Sequence, residues 1–277
     1  MQLNSINIDV AVIHTSIELG TRKRNIAKIK DLLEKLLKHQ RYVDIVILPQ
    51  MVNGVPIYEI EFKKTLKISS ETIPGPTTDE MGKLARNYGV NLVVGPLIER
   101  RGSRLYRSVV CIGKDGDVKK VIRQVAPNNK FSGYSQVPYM VLGNARIGFL
   151  IADDLFYPEI SFTFSILNID IIVIYPSINQ DIYRQQQATV VRTIESGSMG
   201  LMVGGIFEYK QDVLATVPTI VIDENGEEIE RIDMDEKVVA MSVSTKHVDR
   251  VNVNARFKII KELKKMLHSK KFSSQNT

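Results

Sequence analysis

Gly148-Phe149-Leu150-Ile151-Ala152-Asp153-Asp154-Leu155-Phe156-Tyr157-Pro158-Glu159 is the stretch whose reading decides the fold. It closes an apolar run, Arg146 to Ala152, with the length and continuity of a strand buried on both faces. Two carboxylates then break the run, a helix is expected near Pro158 to Leu167, and a second apolar strand follows from Ile169 to Tyr175. Strand, polar corner, helix and strand form an α/β unit.

The same unit recurs on either side. Upstream, Ile8 to Ile13 reads as a buried first strand. A helix follows in which Ile26, Ile29, Leu32, Leu33, Leu36 and Leu37 recur at helical spacing. A strand ends at Gln50 and leads into an irregular Met51 to Ser70 segment, long enough to rim a pocket. Pro74-Gly75-Pro76 marks a turn before a helix over Thr78 to Tyr88, and Asn91 to Gly95 is another buried strand. Arg104 to Gly113 and Val118 to Gln124 flank the turn Lys114-Asp115-Gly116-Asp117 and predict a hairpin. Downstream, a helix is expected over Gln185 to Gly197, then a strand over Leu201 to Ile206, with strands alternating with helices to the end.

Five segments carry a resemblance. Ile45-Val46-Ile47-Leu48-Pro49-Gln50 is similar to a strand ending in Leu-Pro-Glu, and Val121-Ile122-Arg123-Gln124-Val125-Ala126-Pro127 to a Tyr-Arg-Lys-x-His-Leu segment. The elbow around Ala152 is similar to Cys-Tyr-Asp followed by Arg-Phe-Pro-Glu. Arg192-Thr193-Ile194-Glu195-Ser196-Gly197 resembles an Arg-Ala-x-Glu-Asn helix, and Thr219 to Gly226 a late strand and turn. Together, and in this order, they resemble the nitrilase, or carbon–nitrogen hydrolase, superfamily along nearly the whole chain. The resemblance implies an α-β-β-α sandwich, with residues 1–256 as the nitrilase-like domain and 257–277 as a basic C-terminal helix and tail.

It also implies where chemistry would sit. In the family a thiolate attacks a carbonyl or nitrile carbon, a glutamate moves the proton and a lysine stabilises the tetrahedral intermediate. Here the glutamate, lysine and cysteine positions hold Gln50, Gln124 and Ala152. An amide cannot take up a proton at neutral pH, Gln124 carries no full charge, and Ala152 has no nucleophile. Loss of a nucleophile in enzymes of this logic costs on the order of 10⁶ in rate. The neighbours differ as well, with Asp153, Phe156 and Ala126-Pro127 where the family has Tyr, Arg and His-Leu. No catalytic residue is therefore expected, and the chain reads as a pseudoenzyme that binds, regulates or scaffolds. By resemblance, Asp154, Pro158 and Glu159 shape the elbow and helix entry. Gln50, Gln124 and Asp153 would line a pocket suited to a small amide or polar metabolite. Two rivals stand beside this reading. One is an amidase-type hydrolase using Asp153 or Glu159 to activate water, and the other is a nucleic-acid binder.

Composition limits the classes. With 277 residues, 44% apolar, 25% charged and no low-complexity tract, one ordinary globular domain is expected. No N-terminal targeting pattern and no bilayer-length apolar stretch is seen, so the expected location is cytoplasmic, away from membranes. Cys111, the single cysteine, lies in an apolar strand and reads as core. His14, His39, His247 and His268 lack metal-ligand spacing, and no nucleotide fingerprint occurs, so neither metal nor cofactor is expected. The net charge of +6 permits contact with acidic partners. Its clusters are the Glu99 to Arg107 turn, read mainly as solvated charge, and a tail with Lys258, Lys261, Lys265 and Lys271 around Ile259, Ile260, Leu263, Met266 and Leu267. The resemblance further implies a homodimer or higher homo-oligomer through the helices near 158–167 and 184–197, with Ile160, Phe162, Phe164 and Ile166 buried at the interface.

Overall fold

The structure, a computed structural model, describes residues 6–40, 42–55, 70–245, 257–262 and 264–265. In chain order the elements are β1 (Ile6–His14), β2 (Ser16–Glu18), α1 (Arg22–His39), β3 (Ile45–Ile47), α2 (Pro76–Tyr88), β4 (Asn91–Arg101), β5 (Arg104–Ile112) and β6 (Val118–Arg123). There follow β7 (Tyr139–Leu142), β8 (Ala145–Ile151), a 3-10 turn (Ala152–Phe156), α3 (Pro158–Ile166), β9 (Ile171–Tyr175) and α4 (Ile182–Ser196). The last strands are β10 (Met199–Met202), β11 (Gly205–Tyr209), β12 (Asp212–Val217), β13 (Thr219–Ile222), β14 (Glu228–Ile232) and β15 (Lys237–Thr245).

Two six-stranded sheets, ordered β15-β1-β3-β4-β5-β6 and β14-β13-β10-β9-β8-β7, face each other. Strand alternation divides the side chains between layers. Ile147, Phe149 and Ile151 of β8, with Ile171, Val173 and Tyr175 of β9, join the main core shared with the first sheet. Leu150, Ile172 and Ile174 instead pack beneath α3 and α4 with Leu155, Ile160 and Phe164. On the first sheet α1 buries Ile29, Leu33 and Leu36, the positions its apolar period marks, and α2 packs on β4 and β5. The result is the α-β-β-α sandwich.

Several expectations are corrected. After α4 the described chain does not alternate strand with helix: β10 to β15 follow one another without one. The Leu201 to Ile206 run is two strands in different sheets, because β11 pairs with β12 and β2 in a separate three-stranded sheet. The break falls at Gly204, where a Cβ would lie 1.9 Å from the Val217 carbonyl oxygen, so only glycine lets the two backbones cross. Ile160 and Phe164 are buried within their own subunit and cannot form an interface. Phe162 and Ile166, on the other side of α3, are half-buried.

Residues 257–262 and 264–265 are helical. Leu263, Met266, Leu267 and Lys271, His247 and His268, and most of the Met51 to Ser70 segment lie outside the described residues. Among the described residues no helix is long and apolar enough to cross a membrane.

Candidate functional site

The site lies where the C-terminal ends of β3, β6, β8 and β9 meet, the edge at which α/β sheets commonly bind ligands. Gln50 follows β3 and is wholly buried, and its Nε2 donates to the Pro176 carbonyl at 2.9 Å. Beside it the buried Tyr175 hydroxyl donates to the Leu48 carbonyl at 2.9 Å. These two bonds tie the end of β3 to the end of β9 and so stitch one sheet to the other.

Ala152 follows β8 and begins the 3-10 turn with φ +52°, the left-handed region. For a residue with a Cβ that conformation costs about 1–2 kcal/mol. Strain of this kind gathers at functional turns, and here it is retained beneath a buried methyl group. The next residue, Asp153, projects to the rim. Its Oδ2 accepts from Gln124 Nε2 at 3.2 Å and Asn128 Nδ2 at 3.1 Å, with the Arg107 guanidinium 3.6 Å away. Its Oδ1 accepts from Gln180 Nε2 at 2.8 Å. Half-burial opposes its charge, but the Asn128 and Gln180 amides, Arg107 and Gln124 outweigh that and hold its carboxyl below the ordinary aspartate value. A carboxylate so held is a poorer proton acceptor than a free one.

Each partner of Asp153 is itself fixed. Arg107 donates to Gln124 Oε1 at 3.3 Å and lies over the Phe131 ring, 4.6 Å from its centre. Asn128 accepts from the Lys130 and Phe131 amides, which leaves its NH₂ group for Asp153. Gln185 accepts from the Ser177 amide and donates to its carbonyl, setting the loop that presents Gln180. Asp154 points the other way. It is buried and accepts from the Val125 amide at 3.0 Å and the Ala126 amide at 2.7 Å, clamping the segment after β6 to the elbow. Burial pushes its carboxyl up to about 7 against the pull of the Ala126, Val125 and Ile151 amides. Pro158 opens α3, and Glu159 lies exposed in its first turn.

The structure thus brings Gln124 and Asp153 into contact and sets Gln50 and Ala152 at the ends of neighbouring sheets. It also corrects the solvated-charge reading of the Glu99 to Arg107 turn. Arg107 is buried in the site, and Glu99 is buried in a bidentate pair with Arg123 at 2.6 and 2.7 Å. Arg100, Arg101 and Arg104 are exposed, as read. Asn128, Gln180 and Gln185 were not anticipated, and they come from loops with no local signature. Arg107 had a signal, a lone cation between Leu105 and Val109 on one face of β5. Elsewhere, Cys111 is buried on β5 with its thiol pushed up to about 12 by burial, and the buried His14 bonds Thr219 Oγ1 through Nδ1 at 2.8 Å. Among the described residues no three His, Cys, Asp or Glu side chains group as a metal site requires.

A two-sheet sandwich whose strained corner follows an inner strand is the frame of a carbon–nitrogen hydrolase. Residues 9–254 match the sequence pattern of the family described as carbon-nitrogen hydrolase, and the chain belongs to that family. It is also 26% identical over 170 residues to a nitrilase of Pyrococcus abyssi, a match covering 60% of this chain and 63% of that protein. The chain therefore spans less than two thirds of that curated relative. Among solved structures, Saccharomyces cerevisiae Nit3, a member of branch 10 of the nitrilase superfamily, superposes with a TM-score of 0.74 at 15% identity, covering 97% of this chain and 96% of that one. A carbon-nitrogen hydrolase from Helicobacter pylori gives 0.73 at 17% identity, covering 98% and 97%. A glutamate-to-glutamine, cysteine-to-alanine double mutant of the amidase from Nesterenkonia sp. AN1, in complex with acrylamide, gives 0.72 at 13% identity, covering 93% and 97%. At these identities the likeness concerns the fold alone.

Proposed function

We propose that this chain is a non-catalytic member of its family that binds a small amide or related polar metabolite without cleaving it. One observation carries the reading. The residue at the strained elbow is alanine, and the carboxylate beside it is held at a depressed pKa by three amide donors and a neighbouring guanidinium. Gln50 and Gln124 place neutral amides, bonded to Pro176, Arg107 and Asp153, where the family motifs carry charge. The Nesterenkonia double mutant carries the same two exchanges that the motifs here show at Gln50 and Ala152, and it holds an amide. The test is the purified full chain against amides, nitriles and carbamoyl compounds, with acrylamide as first probe. Calorimetric heat without ammonia release supports binding, and silence toward every compound removes it. Steady turnover abolished by Asp153→Asn would establish the hydrolase rival instead.

A second observation favours self-association. Tyr183, Val191 and Ile194 are exposed on α4, which packs beside α3, where Phe162 and Ile166 are half-buried. Large apolar side chains grouped on one face mark interaction sites. Sedimentation equilibrium is expected to give a dimer or larger assembly that Val191→Glu dissociates. A monomer at all concentrations refutes it.

A further inference from the structure

Along β6 successive side chains leave on opposite faces of the sheet. Gln124, just past its end, turns inward to Asp153, whereas Arg123 turns outward to Glu99 and lies over the rings of Tyr106 and Tyr134, at 5.6 and 4.8 Å from their centres. On that outer side the Thr72-Ile73 segment, the end of the β4–β5 hairpin and Tyr134 border an open cleft of about 500 Å³. Its charged lining is Arg100, Arg101, Arg123 and Glu99.

The charges do not cancel. The Glu99 carboxylate is committed inward: Oε2 accepts from Arg123 Nε and from Ser108 Oγ, and Oε1 accepts from Arg123 Nη2. Those bonds fix the guanidinium plane and leave Nη1 and one Nη2 hydrogen of Arg123 outside the pair. Arg100 and Arg101 form no ion pair with a carboxylate among the described residues, and both are exposed at the cleft. Arg101 leaves the sheet on the same face as Glu99 and Arg123, and Arg100 lines the cleft beside it at the hairpin end, so three arginines and one carboxylate border a concave space of small-molecule size. Guanidinium forks suit planar or tetrahedral oxyanions, and Tyr134 adds an aromatic wall.

We infer that this outer cleft is a second ligand site, for a small multivalent oxyanion, either a phosphate compound or a di- or tricarboxylate, bound by Arg100, Arg101 and Arg123 beside Tyr134. The cleft is bounded on its sides by the 70–73 segment and the Tyr134 loop, which favours a compact ligand over a nucleic-acid strand needing a continuous track. The inference stands independently of the proposed amide site, since Arg100, Arg101, Arg123 and Tyr134 take no part in that site.

Calorimetry of the full chain with pyrophosphate and, separately, citrate tests it and tells the two anion sources apart. Binding of at least one is expected at submillimolar to millimolar concentration. Arg100→Gln/Arg101→Gln, both exposed, is expected to weaken binding at least tenfold, and Tyr134→Ala severalfold. Circular dichroism establishes that the variants are folded. Should the double variant misfold, the single Arg101→Gln is read in the same way. Unchanged binding in folded variants, or no binding of either anion below about 10 mM, overturns the inference. So does an affinity found only for single-stranded RNA and rising with its length.

Discussion

Replacing Asp153 isolates the worth of the charge cluster on the inner face. The Arg107 side chain is 8% exposed and that of Asp153 27%, so the cation is the more deeply buried partner. The amides of Gln124 and Asn128 and the Arg107 guanidinium converge on Oδ2, while Gln180 alone meets Oδ1. An asparagine can therefore keep its oxygen toward the three and turn its NH₂ group to Gln180, whose exposed amide can flip. Asp153→Asn removes little but the charge and is expected to cost about 1–2 kcal/mol, below the about 3–5 kcal/mol of a fully buried pair because water reaches the carboxylate. Asp153→Ala also strips the acceptors and should cost about 2–3 kcal/mol. A double-mutant cycle with Arg107→Met, read by urea unfolding at pH 7, is expected to show about 1–2 kcal/mol of coupling. Because the folded-state carboxyl is depressed, this contribution is present above the unfolded aspartate value and fades as pH falls through the folded one. The cycle should therefore lose its coupling in strong acid. Additivity within about 0.5 kcal/mol at pH 7 would mean that the cluster is geometry without energetic linkage.

Three further outcomes follow from particular contacts. Asp154 has the opposite sign: with its folded value near 7 and the unfolded one near 3.8, ionisation opposes folding increasingly between those limits. The stability of Asp154→Asn relative to wild type should improve by about 2–3 kcal/mol from pH 5 to pH 8 in chemical denaturation, and a pH-independent difference would contradict this. Glu99→Gln breaks the bidentate pair of two nearly buried side chains and should lower stability by about 3 kcal/mol, seen as a reduced urea midpoint. Gly148→Ala places a Cβ 2.9 Å from the Phe164 ring, which is wholly buried and cannot withdraw. Overpacking there should cost about 1–3 kcal/mol, whereas the smaller Phe164→Leu should tolerate the added methyl in the double variant.

The elements legible in the sequence were those whose side-chain period reports burial directly. The α1 stripe through Ile29, Leu33 and Leu36 and the apolar runs of β1, β8 and β9 belong to this kind. The corner at Ala152 was legible because an apolar run stops abruptly at two carboxylates. What escaped was set by distant backbone. Leu201 to Ile206 reads as one strand until the crossing at Gly204 sends its second half to another sheet. On α3 the residues Ile160, Phe162, Phe164 and Ile166 alternate like a strand, but on a helix Ile160 and Phe164 share the inward face and the other two do not. At the site, Gln50, Gln124 and Asp153 were marked by motif, whereas Asn128 and Gln180 reach Asp153 only through loop geometry that no local pattern encodes.

Arg123 and Gln124 are consecutive, yet a single pleat sends one to each side of the sheet. A wall one backbone thick is a good insulator for evolution. Substitutions around Gln124 and Asp153 on one side need not disturb the Arg123–Glu99 pair on the other, so the two faces of this sheet can change independently while the strands between them are kept.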